Sequence, residues 1–172
     1  SIQKVSVKPN IFMICVGTPS DKKGDFDFSI LNKSCESILG TLGSLKQYFV
    51  VVIRSTTLPG KTKEIFIDKV SKNLNLTIGI DFDVVMNPEF LREGSAINDY
   101  DNAARTVLGT TSDKSADILK KVYKNVKAPV FITDLETAEL CKYIDNTWHA
   151  LKIVFGNEIG AISKKLEVDI HK

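Results

Sequence analysis

Apolar and polar positions alternate in blocks along the chain. Ile11 to Gly17 reads IFMICVG, a continuous apolar run of the kind expected for a strand buried on both faces. A polar loop, TPSDKKGDFD, follows it, and a helical pattern then runs from Phe28 to about Leu42. YFVVVIR, Tyr48 to Arg54, predicts a second buried strand that ends at STTLPG, with a helix from about Lys61 to Lys72 after it. Shorter strands are expected at Asp83 to Asn87, at Arg105 to Gly109 and in APVFIT, with a helix over Asp113 to Asn125. Strands alternating with helices predict an α/β fold, a Rossmann-like doubly wound parallel sheet. In such sheets ligands bind beyond the carboxyl ends of the strands. Three polar clusters fall at those ends: Gly17-Thr18-Pro19, Ser55-Thr56-Thr57 and Asn87-Pro88-Glu89.

The last segment has a different period. From about Asp134 to Val168 one amphipathic helix runs with no proline, and Cys141, Ile144, Trp148, Leu151, Phe155, Ile159, Ile162 and Leu166 recur at steps of three and four. At 1.5 Å per residue it would span about 50 Å, enough to outrun one domain and connect two. The expected division is residues 1–133 as part of a nucleotide-binding domain and 134–172 as a connecting helix that opens a second. Lys142 and Asn146 lie one turn apart on a neighbouring face. Gly156 and Gly160 are also one turn apart, and such a pair is tolerable in a helix where another backbone packs closely, so a helix–helix contact is expected there.

Composition narrows the partners. The 172 residues are 43% hydrophobic and 26% charged, and 23 basic against 21 acidic side chains leave a formal charge of +2. That balance gives no reason to expect nucleic acid or a membrane surface as partner. Cys15, Cys35 and Cys141 form no C-x-x-C pair and His149 and His171 are far apart, so neither a metal site nor a disulfide framework is expected. Free thiols in apolar settings fit a reducing cytoplasm. No apolar run reaches membrane-spanning length, and a chain opening on Ser1 says little about a leader peptide.

The stretch NPEFLREGSAINDY, Asn87 to Tyr100, follows a proline with two glutamates four residues apart. Pro88 suits the start of a helical turn, and on a helix Glu89 and Glu93 would share one face. An acidic first turn favoured by the helix dipole is the plain alternative to a ligand-binding role.

ICVGTPS, VVIRSTTLPGKT, NPEFLREGSAINDY and AELCKYIDNTWHALKIVFGNEIGAISKKLEVD occur in that order from about Ile11 to Asp169. Together they resemble the UDP-glucose/GDP-mannose dehydrogenase family, NAD-dependent enzymes that oxidise the C6 alcohol of a nucleotide sugar to a carboxylate. RSTTLPG and NTWHALK are most similar to its GDP-mannose 6-dehydrogenase branch. The resemblance implies NAD contacts at Val16, Gly17 and Thr18, with Gly17 admitting close backbone approach. Thr56 matches a threonine at the nicotinamide side that holds a water; a hydroxyl capping the helix near Gly60 is the alternative. Glu89 matches a glutamate that assists water attack, and Glu93 one on the cofactor side. Phe90, Leu91 and Arg92 match the lining of the nucleotide-sugar pocket. Lys142 and Asn146 match the lysine and asparagine directed at the sugar C6 oxygen, where charge and a hydrogen bond would hold an oxyanion. Trp148, in line with the apolar stripe, is expected in a core, and His149 beside it is expected to be structural.

Two family features are missing from the 172 residues. No G-x-G-x-x-G occurs, and no motif matches the family's nucleophilic cysteine: Cys15 is read as a small hydrophobe within a strand. The expectation is an internal fragment, inactive alone, of an enzyme that forms a homodimer through the long helix. A 6-phosphogluconate or β-hydroxyacid type of dehydrogenase, which also places a lysine and an asparagine one turn apart, and a non-catalytic dimerisation module are the alternatives. PEFLREG and STTLPG speak against the first, and the missing nucleophile favours the second for the chain as it stands.

Overall fold

The computed structural model describes residues 10–169. Strands β1 (Ile11–Ile14), β2 (Phe49–Ile53), β3 (Phe82–Met86), β4 (Thr106–Thr110) and β5 (Val130–Thr133) form one sheet in sequence order. Helix α1 (Ser29–Gly43) joins β1 to β2. Helix α2 follows β2, π-helical over Lys63–Asp68 and α-helical over Lys69–Leu74. Short α3 (Ala96–Asp101) lies between β3 and β4, α4 (Asp113–Val122) between β4 and β5, and α5 (Leu135–Lys165) closes the described chain.

The α/β fold expected from the alternation is present, and β1, β2 and β3 are parallel in register, with Ile14 opposite Ile53 and Ile53 opposite Met86. The sheet is nevertheless mixed. β4 runs antiparallel to β3, with Met86 opposite Gly109, and β5 is parallel to β4. The reason lies in the connection: α3 buries no residue, so no crossover helix packs on the sheet between β3 and β4, and the chain can simply turn back.

β2 and β3 are buried along their whole length, as their unbroken apolar runs predict. Phe49, Val51, Ile53, Phe82, Val84 and Met86 face α1 and α2, while Val50, Val52 and Val85 face Leu119 of α4 and Tyr123 at its end. β1 does not match its reading. Phe12 and Ile14 are buried but Met13 and Cys15 are exposed, because helices cover only one of its faces here.

The expected helix at Lys61–Lys72 is present but not uniform. Its π-helical turn brings three consecutive residues, Ile65, Phe66 and Ile67, into the core.

Asp134 starts α5, its carboxylate accepting the Thr137 N–H at 2.7 Å and the Thr137 hydroxyl at 2.8 Å. The helix ends where Glu167 turns left-handed and the Val168 N–H returns to the Ser163 carbonyl at 3.0 Å. Its buried positions are Leu135, Ala138, Glu139 and Lys142, and the first two join the core beneath β4. Gly109 makes that approach possible: a Cβ there would lie 2.5 Å from the Ala138 Cβ and 2.6 Å from the Asp134 carbonyl oxygen. The apolar stripe read along α5 does not pack on this sheet. Ile144, Trp148, Leu151, Phe155, Ile159 and Leu166 are all exposed. A Cβ at Gly156 would meet nothing within 4 Å, so no helix of the described chain fills the contact expected there.

Candidate functional site

The loops at the carboxyl ends of β1, β2 and β3 are tied together by polar contacts. Ser55 Oγ donates to the Val16 carbonyl at 2.6 Å and accepts the Val16 N–H at 3.0 Å. Gly17 follows, and a Cβ there would meet nothing within 4 Å, so its backbone borders open space. Thr18 and Thr56 are half-buried on the neighbouring loops. The Asn87 N–H continues the ladder to the Ile53 carbonyl at 2.8 Å, which sets Asn87-Pro88-Glu89 beside the β2 loop.

Beyond Asn87 the chain is irregular, with a turn over 93–95, and helix begins only at Ala96. Glu89 and Glu93 therefore do not share a helix face. Pro88 starts no helical turn, and the acidic-first-turn reading fails with it. Glu89 turns inward: its Oε1 lies 3.1 Å from Lys142 Nζ, and its Oε2 accepts the Leu91 N–H at 2.6 Å. Glu93 is exposed on the rim of a cleft. Arg92 is fastened to Asp99 by its backbone N–H, its Nε and its Nη2 at 2.7 to 3.0 Å, and the guanidinium holds the Asp99 carboxyl well below the usual range.

The cleft, about 920 Å³, lies between this segment and residues 142–153 of α5. That volume is at the upper end for small-molecule sites. Phe90, Leu91, Arg92, Glu93, Lys142 and Asn146 all line it. Glu89, although paired with Lys142, is not among the lining residues, and neither are Val16, Gly17, Thr18 and Thr56, which belong to the loops at the ends of β1 and β2. Lys142 is buried although it carries a charge, its side chain only 5% exposed, and both Glu89 and the face of Phe90 (5.7 Å) compensate it. Asn146, one turn further along α5, is exposed in the cleft. One helix thus presents a buried ammonium and an accessible amide on one side.

Several lining residues were not singled out from the sequence. Arg54, at the end of β2, donates through Nη1 to Asn87 Oδ1 and to the Tyr123 hydroxyl, both at 2.7 Å. Tyr123 in turn donates to Asn87 Oδ1 at 2.5 Å, and Asn87 Nδ2 donates to the Val107 carbonyl at 2.8 Å. Burial pushes the Tyr123 hydroxyl pKa up. Arg105 lies 4.1 Å over the Phe90 ring and pairs with Asp145, joining the proline segment to α5. A polar residue ending an all-apolar strand, as in VVVIR, was the available signal for Arg54; Tyr123 and Arg105 left none. Trp148 and His149 line the cleft and are exposed, so Trp148 is not the core residue that the helical stripe implied. Cys15 lies exposed just past β1, not inside it.

Among the described residues no His, Cys, Asp or Glu cluster has the makings of a metal site, and no helix is long and apolar enough to cross a membrane.

Two family descriptions match the chain: "UDP-glucose/GDP-mannose dehydrogenase family, NAD binding domain" over residues 1–127, and the central domain of the same family over residues 136–172. The chain is 42% identical over 160 residues to a GDP-mannose 6-dehydrogenase of Pseudomonas putida, covering 93% of this chain and 36% of that protein. It is 39% identical to the UDP-glucose 6-dehydrogenase TuaD of Bacillus subtilis, covering 95% of this chain and 34% of that protein. Its structure is similar to that of a GDP-mannose dehydrogenase from Pseudomonas aeruginosa solved as a ternary complex, with a TM-score of 0.89 at 41% identity over 93% of this chain and 37% of the other. The chain thus spans little more than a third of the length of these relatives.

Proposed function

Because the chain belongs to the UDP-glucose/GDP-mannose dehydrogenase family, we propose that it is the part of an NAD-dependent nucleotide-sugar 6-dehydrogenase that holds the sugar's C6 carbon. The observation that carries this reading is the buried Lys142–Glu89 pair at 3.1 Å, with Asn146 one turn along the same helix in the cleft. The overall reaction converts an alcohol to a carboxylate: one water oxygen enters, and two hydrides leave to two NAD.

Lys142 and Asn146 are placed to donate to one oxygen. A charge fixed in a dry site stabilises a developing oxyanion far more than the same charge in water would. Glu89 Oε1, already against the ammonium, is the proton acceptor within reach of a water entering there. Phe90, Leu91 and Arg92 form the wall on which the sugar rests, Arg92 held in place by Asp99. The cleft also suits an anionic ligand. The Arg54 hydrogen bonds go to neutral acceptors, so its charge remains available to a diphosphate.

NAD accepts the hydrides when bound. Val16, Gly17, Thr18, Thr56 and Glu93 are the residues of this chain proposed to hold it. The first four fit its uncharged parts: the open backbone at Gly17 and the adjacent threonine hydroxyls offer hydrogen bonds without charge, while Glu93 stands apart from them on the cleft rim. The sequence contains no glycine-rich turn for the pyrophosphate. The division into a nucleotide-binding unit, 1–133, and the start of a central unit, 134–172, is part of the same proposal.

Lys142→Ala in the full-length protein tests the reading. A group used in the transition state lowers turnover when lost, with little change in substrate affinity. The expected loss in kcat is about a hundredfold to a thousandfold, the range for removing one oxyanion donor. Asn146→Ala should also slow the reaction, and the double variant should be less than additive. Near-normal kcat with a raised KM would reduce Lys142 to a binding group.

A further inference from the structure

Glu139 is a wholly buried carboxylate that the catalytic reading does not use. Its Oε1 accepts the Thr57 hydroxyl at 3.1 Å and the Thr62 N–H at 2.7 Å, and its Oε2 accepts the Gly60 N–H at 2.7 Å. Three donors compensate both oxygens, two of them backbone N–H groups immediately ahead of α2, where the positive end of a helix favours an anion. The carboxylate therefore caps one helix from another. It fastens the β2 loop, with Thr56 next to Thr57, onto α5.

Glu139, Lys142 and Asn146 stand at helix positions i, i+3 and i+7, so one face of α5 carries all three. The same short stretch of rigid helix grips the loop on the cofactor side and presents the ammonium and amide to the cleft. We propose that Glu139 is a positioning residue that sets the distance between Thr56 and the Lys142–Asn146 pair, and so between the two reacting partners. This rests on the oxidation proposed above.

The contact needs a carboxylate of this length. A glutamine keeps one acceptor oxygen for Thr57 and Thr62 but turns an NH2 toward the Gly60 N–H, donor against donor. An aspartate keeps both oxygens but falls a methylene short. Displacements of about 1 Å at a reacting centre cost up to roughly a hundredfold in rate.

The experiment compares the full-length protein with its Glu139→Gln and Glu139→Asp variants, and with Glu136→Gln on the exposed side of the same helix as control. Amide hydrogen exchange and steady-state kinetics are read together. Positioning predicts a kcat about tenfold to a hundredfold lower in Glu139→Gln at nearly unchanged KM for the nucleotide sugar. It also predicts faster exchange at Gly60 and Thr62 with β2 and β3 still protected, and partial recovery of both effects in Glu139→Asp. Unchanged kcat and unchanged exchange at Gly60 and Thr62 would overturn it. So would loss of protection throughout the sheet in both Glu139 variants, which would make the group a general fold determinant. A wild-type protein that oxidises no nucleotide sugar would remove the proposed function instead, leaving the exchange data to judge the contact itself.

Discussion

Cys35, on the inner face of α1, has no exposed surface, and burial pushes its thiol pKa up from 9.0 to about 11. An acid whose pKa is raised on folding contributes stability that is complete below the unfolded value and is lost as pH climbs through the folded one. Stability of the 172-residue chain should therefore fall between about pH 9 and pH 11 more steeply than in Cys35→Ala, as measured by urea unfolding at fixed pH. Equal slopes for the two proteins would contradict the assignment. At the same scale, the residues legible from sequence were those in recognisable strings: Phe90, Lys142 and Asn146 all reach the cleft. Glu139, Arg54 and Tyr123 were not legible, because each acquires its role from partners 33 to 82 positions away. Glu89 and Glu93 show the opposite failure. Their four-residue spacing has meaning only on a helix, and the chain there is irregular.

Among the elements, β2, β3 and α4 follow from their patterns, since length and periodicity agree. The antiparallel entry of β4 does not, because strand direction is set by the path between strands and leaves no mark within either. Nor does the π-helical turn in α2, where three adjacent buried residues look like any apolar cluster. The position of α5 depends on Gly109, a residue the strand pattern RTVLG treats as a weak spot. Gly109→Ala forces its Cβ against backbone at Asp134, with no flexible side chain to give way. It should destabilise the chain by about 1–3 kcal/mol, the usual range for overpacking. Its unfolding midpoint measured by circular dichroism in urea would match wild type only if α5 does not pack on β4 in this way.

For the whole molecule, the feature that most needs a partner is the far half of α5. Trp148 is 58% exposed and Phe155 65%, in a stripe that continues to Leu166. Exposed apolar surface of that extent marks an interface. We propose that a second copy covers it, with Gly156 allowing the two helices to approach, and light scattering should then show a dimer that Phe155→Lys weakens. A monomer at high concentration would exclude this use of the helix.

The central claim is that a full-length protein carrying this cleft takes an alcohol through to an acid at one site. Stoichiometry tests it directly: limiting GDP-mannose, or UDP-glucose, is incubated with excess NAD, and the NADH formed per sugar consumed is read from its absorbance. Two NADH per sugar are expected with one of these substrates. One NADH per sugar, as a dehydrogenase that stops after a single hydride transfer would give, or no NADH with either, would contradict it.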